Sequence, residues 1–145
     1  MRDILFRGKR IDNGEWVYGC LLYDSEQHEA YIAECFEDKS AYIRSVIPLT
    51  VGQYTGLTDK NGKKIFEGDI LLIAKKSDWT GNHYYPPLAY PVNVIVKWDM
   101  CAWMWETLTD DKRYLGFPDA WCHYECEYVS NIHDIPELLK GGEGK

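Results

Sequence analysis

"TVGQYTGLTDKNGKKIFEGDIL", Thr50 to Leu71, sets four glycines among β-branched, aromatic and apolar residues. It admits two readings: a phosphate-cradling loop, or the bends of a small β domain. A phosphate loop needs G-x-x-x-x-G-K-[ST] between a strand and a helix. Here Gly62-Lys63 is followed by Lys64, and "KIF" continues as strand, so no helix N-terminus is available to hold an anion. The second reading accounts for each element. Asn61-Gly62 is a hairpin signal. Gly68 supplies a backbone conformation that other residues resist, and the Asp69 carboxylate accepts amide hydrogen bonds to hold that turn. Ile70–Ala74 then runs on as an apolar strand.

Outward from this centre the same grammar repeats. "ILFRGKRIDNGEWVYGCLLY" predicts a hairpin with arms Ile4–Arg10 and Glu15–Tyr23 about a two-residue Asn13-Gly14 turn, since both residues tolerate positive φ. In the second arm Trp16, Tyr18, Cys20 and Leu22 share one face, and Val17, Leu21 and Tyr23 share the other. Both faces are largely apolar, so this strand is expected to be buried, or to become buried on assembly. An acidic loop precedes two more strands, Ala30–Phe36 and Ala41–Ile47, joined by the polar turn "EDKS". Pro48 ends that pattern, and "PLTVGQY" reads as a brief turn.

On the C-terminal side, Lys75–Pro91 reads as a long aromatic loop. Val92–Trp98 and Cys101–Leu108 read as strands, and "TDDKRYLGFPD" as a polar turn region. Trp121–Ile132 alternates, with Cys122, Tyr124, Cys126 and Tyr128 on one face and His123, Glu125 and Glu127 on the other. "DIPELLK" predicts a short helix capped by Asp134, with Pro136 in its first turn. "GGEGK" is a flexible end. The fold class is mainly β, with little helix.

Composition agrees. The 145 residues are 46% hydrophobic and 27% charged, which suits one globular unit or two very small ones. Aromatics reach 14%, with six Trp and eleven Tyr, a bias that favours pleated surfaces. The net charge of −7 is unevenly placed: −6 over residues 24–38, +4 over 39–98 and −7 over 99–139. An acidic chain repels a phosphate backbone, which disfavours non-specific nucleic-acid binding. Five irregularly spaced cysteines and no apolar leader predict free thiols in a reducing cytoplasm. No run of 18 apolar residues is present to span a membrane.

No constellation predicts catalysis. Glu67 with Asp69, and Asp110 with Asp111, are carboxylates without an evident pocket. His28 and His83 lie in polar loops with no nucleophile nearby. Cys122, His123 and Cys126, with Cys101 and His133, offer zinc-type donors, but C-x3-C is not a knuckle spacing and His123 points away from the two thiols. A buried pair of free thiols, Cys122 and Cys126, accounts for them better. Trp98, Trp103, Trp105 and Trp121 offer a stacking platform, yet only Lys97 is near in sequence, so core packing is the expectation. No catalytic, cofactor or metal residue is therefore assigned.

The three stretches "FRGKRIDNGEWVYG", "TVGQYTGLTDKNGKKIFEGDIL" and "NIHDIPELL", in this order, resemble the YopX family, whose members are short proteins of bacteriophages and prophages. His133 stands where that pattern has an aromatic such as Tyr. The resemblance implies an N-terminal β portion, residues 1–50, as an oligomerisation element, and an SH3-like barrel over 51–140 entered through "EGDIL", with 141–145 as tail. It implies a host cytoplasmic setting and no activity. The expected function is a non-enzymatic homo-oligomeric interaction module. Two alternatives are a nucleic-acid-binding barrel using Arg2, Arg7, Lys9, Arg10, Lys60, Lys63 and Lys64, and an acidic decoy of a host nucleic-acid enzyme.

Overall fold

A computed structural model describes residues 4–75, 92–99, 102–108, 114–116 and 124–135. The chain forms two compact units, Met1–Leu57 and Thr58–Lys145. Among the described residues all regular structure is β apart from one short 3₁₀ turn: β1 (Phe6–Lys9), β2 (Trp16–Asp24), β3 (Glu29–Cys35), β4 (Ala41–Val46), η1 (Pro48–Thr50), β5 (Gly52–Thr58), β6 (Lys64–Phe66), β7 (Asp69–Lys75), β8 (Val92–Asp99), β9 (Ala102–Thr107), β10 (Tyr114–Gly116) and β11 (Tyr124–Asn131).

In the first unit β4-β3-β2-β1-β5 follow one another across an antiparallel sheet. The predicted hairpin forms, with Phe6 opposite Gly19 and Lys9 opposite Trp16. Its turn is longer than predicted. The Arg10 amide reaches the Glu15 carbonyl, and only Gly14 takes positive φ (73°). Asn13 acts instead through its side chain, which accepts the Glu15 amide at 2.9 Å.

Gly19 is where β2 leaves one neighbour for the other. Up to this residue β2 pairs with β1, and from Cys20 onward with β3. A Cβ here would sit 2.1 Å from the Ala33 carbonyl oxygen, so only glycine allows the two backbones to pass. The resulting bend carries β4 round to the end of β1. There the Ile11 amide donates to the Ser45 carbonyl (3.0 Å) and the Ile47 amide to the Lys9 carbonyl (2.8 Å). The concave side is filled by Val17, Ala30, Ile32 and Val46, with Phe6, Leu21 and Val51 at its margin.

In the second unit the order is β10-β9-β8-β7-β11, all antiparallel, and the sheet is not closed among the described residues. Ile70, Leu71 and Ile73 of β7 are buried, as are Val94, Ile95 and Val96 of β8. Successive buried residues point to opposite sides of a strand, so both faces of these two strands are covered. This explains their continuous rather than alternating apolar sequence.

Two expectations are corrected here, and a third falls mostly outside the described residues. The 109–119 region is not turn throughout, because Tyr114–Gly116 pairs with Met104–Glu106 as β10. Among the described residues of the predicted Trp121–Ile132 strand the alternation holds from Glu125 to Ser130, with Glu125, Glu127 and Val129 exposed and Cys126 and Ser130 buried, and it breaks at Asn131. A register shift between Tyr128 and Ser130 precedes the consecutive buried residues Ser130 and Asn131; a bulge adds a residue to one strand and so disturbs its alternation. The C-terminal helix is not found among the described residues. Just before it Asn131 closes a turn: its Oδ1 accepts the amides of His133 and Asp134, and its Nδ2 donates to the Asp134 carboxylate. Residues 136–140 of that predicted helix lie outside the described residues, as do the 76–91 loop and the 141–145 tail.

Candidate interaction surface

The glycine-rich centre is built as a set of bends. Asp59 opens the first. The Asp59 amide donates to the Lys63 carbonyl and the Gly62 amide to the Asp59 carbonyl, with Gly62 at φ 85°. This is a type I turn continued by a left-handed glycine. The Asp59 carboxylate organises it: Oδ1 accepts the amides of Asn61 and Lys63, and Oδ2 accepts the amide of Tyr128 in β11, each at 2.9 Å. Burial raises the carboxyl's pKa, but the Tyr128, Lys63 and Asn61 amides and the Lys63 charge outweigh it, so the pKa falls below the ordinary value. Asp69 holds the second bend by accepting the Phe66 amide at 2.8 Å, with Gly68 at φ 89°.

The cations offered for phosphate contact have local partners. Lys63 lies 3.6 Å from the centre of the Tyr128 ring, and Lys60 pairs with Glu127 at 3.7 Å. Arg7 is buried with its guanidinium 4.5 Å from the centre of the Trp16 ring, and Lys9 approaches the same ring at 5.5 Å. Arg10 pairs with Asp12 at 2.6 Å. Lys64 is exposed, and Arg2 lies outside the described residues.

Of the zinc-type donors only Cys126 and His133 fall among the described residues. Cys126 is buried in β11, and burial, then the nearby Asp59 charge, pushes its thiol up to about 12. A metal takes the thiolate, which this environment opposes. Cys101, Cys122 and His123 lie outside the described residues. His133 sits in the turn after β11. Among the described residues no group of three His, Cys, Asp or Glu is placed to hold a metal ion. The tryptophans divide. Trp105 is fully buried opposite Val96, whereas Trp98 is exposed and meets Trp103 edge to face at 4.9 Å. Lys97 is ion-paired with the buried Glu106 at 2.6 Å. Trp121, His83, Asp110 and Asp111 lie outside the described residues. His28 lines a shallow hollow of about 230 Å³ with Glu29, Tyr31 and Ser45.

What remains open is a surface. Opposite the concave core of the first unit, the registers lay Cys20, Ala33 and Ile43 in one row and Leu22, Tyr31 and Ser45 in the next. Tyr18 continues the face along β2, and Cys35 opposite Ala41 continues it along β3 and β4. Tyr18 and Leu22 are each 45% exposed and Ile43 is 64% exposed. Cys20 and Cys35 are free thiols on the same face. The sequence marked the β2 part of this patch through its two apolar faces. It gave no sign of Ile43, because β4 joins the patch only by register. That β4 has outward backbone groups at Ala41 and Ile43 with no strand beside them among the described residues was not readable at all.

The family model described as YopX protein matches residues 5–140, and the chain belongs to that family. The crystal structure of protein EF1440 from Enterococcus faecalis is similar, with a TM-score of 0.52 at 21% identity, covering 96% of this chain and 99% of that one. At this identity the likeness is one of fold. No curated protein matches the chain.

Proposed function

We propose that this YopX-family chain is a non-enzymatic assembly module of phage or prophage origin, acting in the host cytoplasm as a homo-oligomer. The observation that carries this reading is the open apolar face of β2-β3-β4. It lies on the same three strands whose other face forms a buried core. A lone exposed apolar residue needs no explanation, but a contiguous patch marks a contact surface. Covering it recovers about 25 cal/mol for each Å² of apolar surface removed from water. Sedimentation velocity at micromolar concentration tests the reading. A dimer or larger species is expected, Ile43→Asp should shift it toward monomer, and a clean wild-type monomer overturns it.

The second unit is proposed to be an SH3-like barrel. Its five antiparallel strands and the bulge in β11 support this, since bulges bend strands where small barrels turn. An experimental structure in which β10 and β11 both remain unpaired edges would set it aside. The nucleic-acid alternative draws less support, because Lys60, Lys63 and Arg10 are each engaged within the chain. The acidic-decoy alternative rests on charge alone.

A further inference from the structure

The hydrogen bonds at the end of β4 fix which of its backbone groups face outward. The Ser45 carbonyl and Ile47 amide are used by Ile11 and Lys9. In an extended strand, residues two apart direct their N–H and C=O to the same side. Ile43 and Ala41 therefore aim theirs at the same edge, while Tyr42 and Arg44 turn toward Glu34 and Ile32 of β3. Beyond Ser45 the edge is occupied by β1's continuation, and no contact of the described residues occupies it at Ala41 or Ile43.

This short edge lacks the usual protection. Natural sheet edges carry lysine, proline, a bulge or a covering loop. Here the exposed residues of β4 are Ala41, Tyr42, Ile43 and Ser45. The one charge on β4, Arg44, is drawn to Glu34 at 3.5 Å and to the Tyr42 ring at 5.1 Å.

We propose that this edge pairs with the same edge of a second copy, antiparallel and about a twofold axis through Tyr42. The inference rests on the homo-oligomer reading above and names its first contact. The register is forced by the groups available. Centred on Tyr42, each Ala41 exchanges both its hydrogen bonds with the second copy's Ile43, so every outward group finds a partner. Centring on Ile43 would need Ser45, whose carbonyl is taken. Centring on Ala41 would need Lys39 extended, but its φ is 70°.

Side chains favour the same partner. On the convex face Ile43 would lie beside the second copy's Ala41 and Cys35, so the row Cys20–Ala33–Ile43 continues unbroken into the next subunit. On the other face two Phe36–Tyr42 edge-to-face pairs would meet at the axis. The second copy's Asp38-Lys39 turn would approach a hollow of about 340 Å³ lined by Arg10, Asp12 and Arg44, where each charge finds its opposite. The joined sheets present one apolar face of double width, the surface that further copies would cover in the homo-oligomer proposed above.

Disulfide trapping in the full chain tests this, in a Cys20→Ser, Cys35→Ser background under mild copper–phenanthroline oxidation. Residues paired across the axis at Tyr42 would have Cα atoms about 4.5 Å apart, inside the roughly 4.4–6.8 Å that a disulfide spans. Tyr42→Cys should therefore cross-link. Two copies of residue 41 would stand roughly 8 Å apart on standard strand spacings, so Ala41→Cys should not. In wild type the Ala41 and Ile43 amides should exchange with solvent at least tenfold more slowly at high protein concentration than when diluted. Equal trapping at both positions overturns the register. No trapping and no amide protection, in a wild type that still sediments as an oligomer, overturns the edge contact and leaves the oligomer reading standing. A monomeric wild type overturns both.

Discussion

Asp59 shows how much one carboxylate can organise. It is buried, accepts three backbone amides from two parts of the second unit, and so joins the β6 turn to β11. Asp59→Ala would leave those amides without their acceptor. A buried unsatisfied donor costs about 1–3 kcal/mol, and some of the amides will find water, so a loss of about 3 kcal/mol in urea denaturation is expected. The pH dependence has a definite sign. The folded-state pKa lies below that of the unfolded chain, so the contribution is complete above the ordinary carboxylate value near ~4 and disappears as pH falls through the lower folded value. The urea midpoint of the wild type should therefore fall more steeply below about pH 4 than that of Asp59→Asn. Parallel profiles for the two proteins would show that the carboxylate's charge contributes nothing.

At the scale of elements, glycine decides where strands may cross and bend. Gly19 does so without positive φ, through close approach alone, and the bend it permits allows β4 to reach the end of β1. Gly19→Ala would drive a methyl group into a backbone carbonyl, which cannot rotate aside. Overpacking of this kind costs about 1–3 kcal/mol, and the upper end is expected because the obstacle is main chain. Chemical denaturation measures it, and a change under about 0.5 kcal/mol would mean that the strands separate easily at this point. Gly68 differs: an added Cβ there would meet Ile132 only at 3.6 Å, so the demand is conformational rather than steric. The β11 bulge is a third device. Asn131 is buried directly after it, and its side chain closes the turn that follows.

For the whole molecule, thiol chemistry separates surface from core. Cys20 and Cys35 are exposed on the convex face, while Cys126 is buried with its thiol pushed up to about 12. Iodoacetamide near neutral pH should label Cys20 and Cys35 in the native protein and reach Cys126 only after unfolding, as peptide mass mapping would show. Edge pairing at β4 alone leaves both exposed thiols on the open face, so an oligomer held by that first contact only should keep their labelling. Protection of Cys20 on raising the protein concentration would instead mean that the convex face itself is covered.

The sequence alone determined the β class, the positions of most strands and the bends at Asn13-Gly14, Asn61-Gly62 and Gly68-Asp69, because φ preference and period-2 patterning act between near neighbours. The short strand β10, the break in the alternation of β11 and the Asn131 turn were not legible, since each is set by pairing with a distant segment. For the candidate surface, the apolar β2 could be read from its own residues. Only the tertiary structure decided that Ile43 shares its face, and that no described residue pairs with the outward backbone groups of Ala41 and Ile43. Register between strands and the occupancy of a sheet edge arise from what lies alongside, and a linear chain does not carry that information locally.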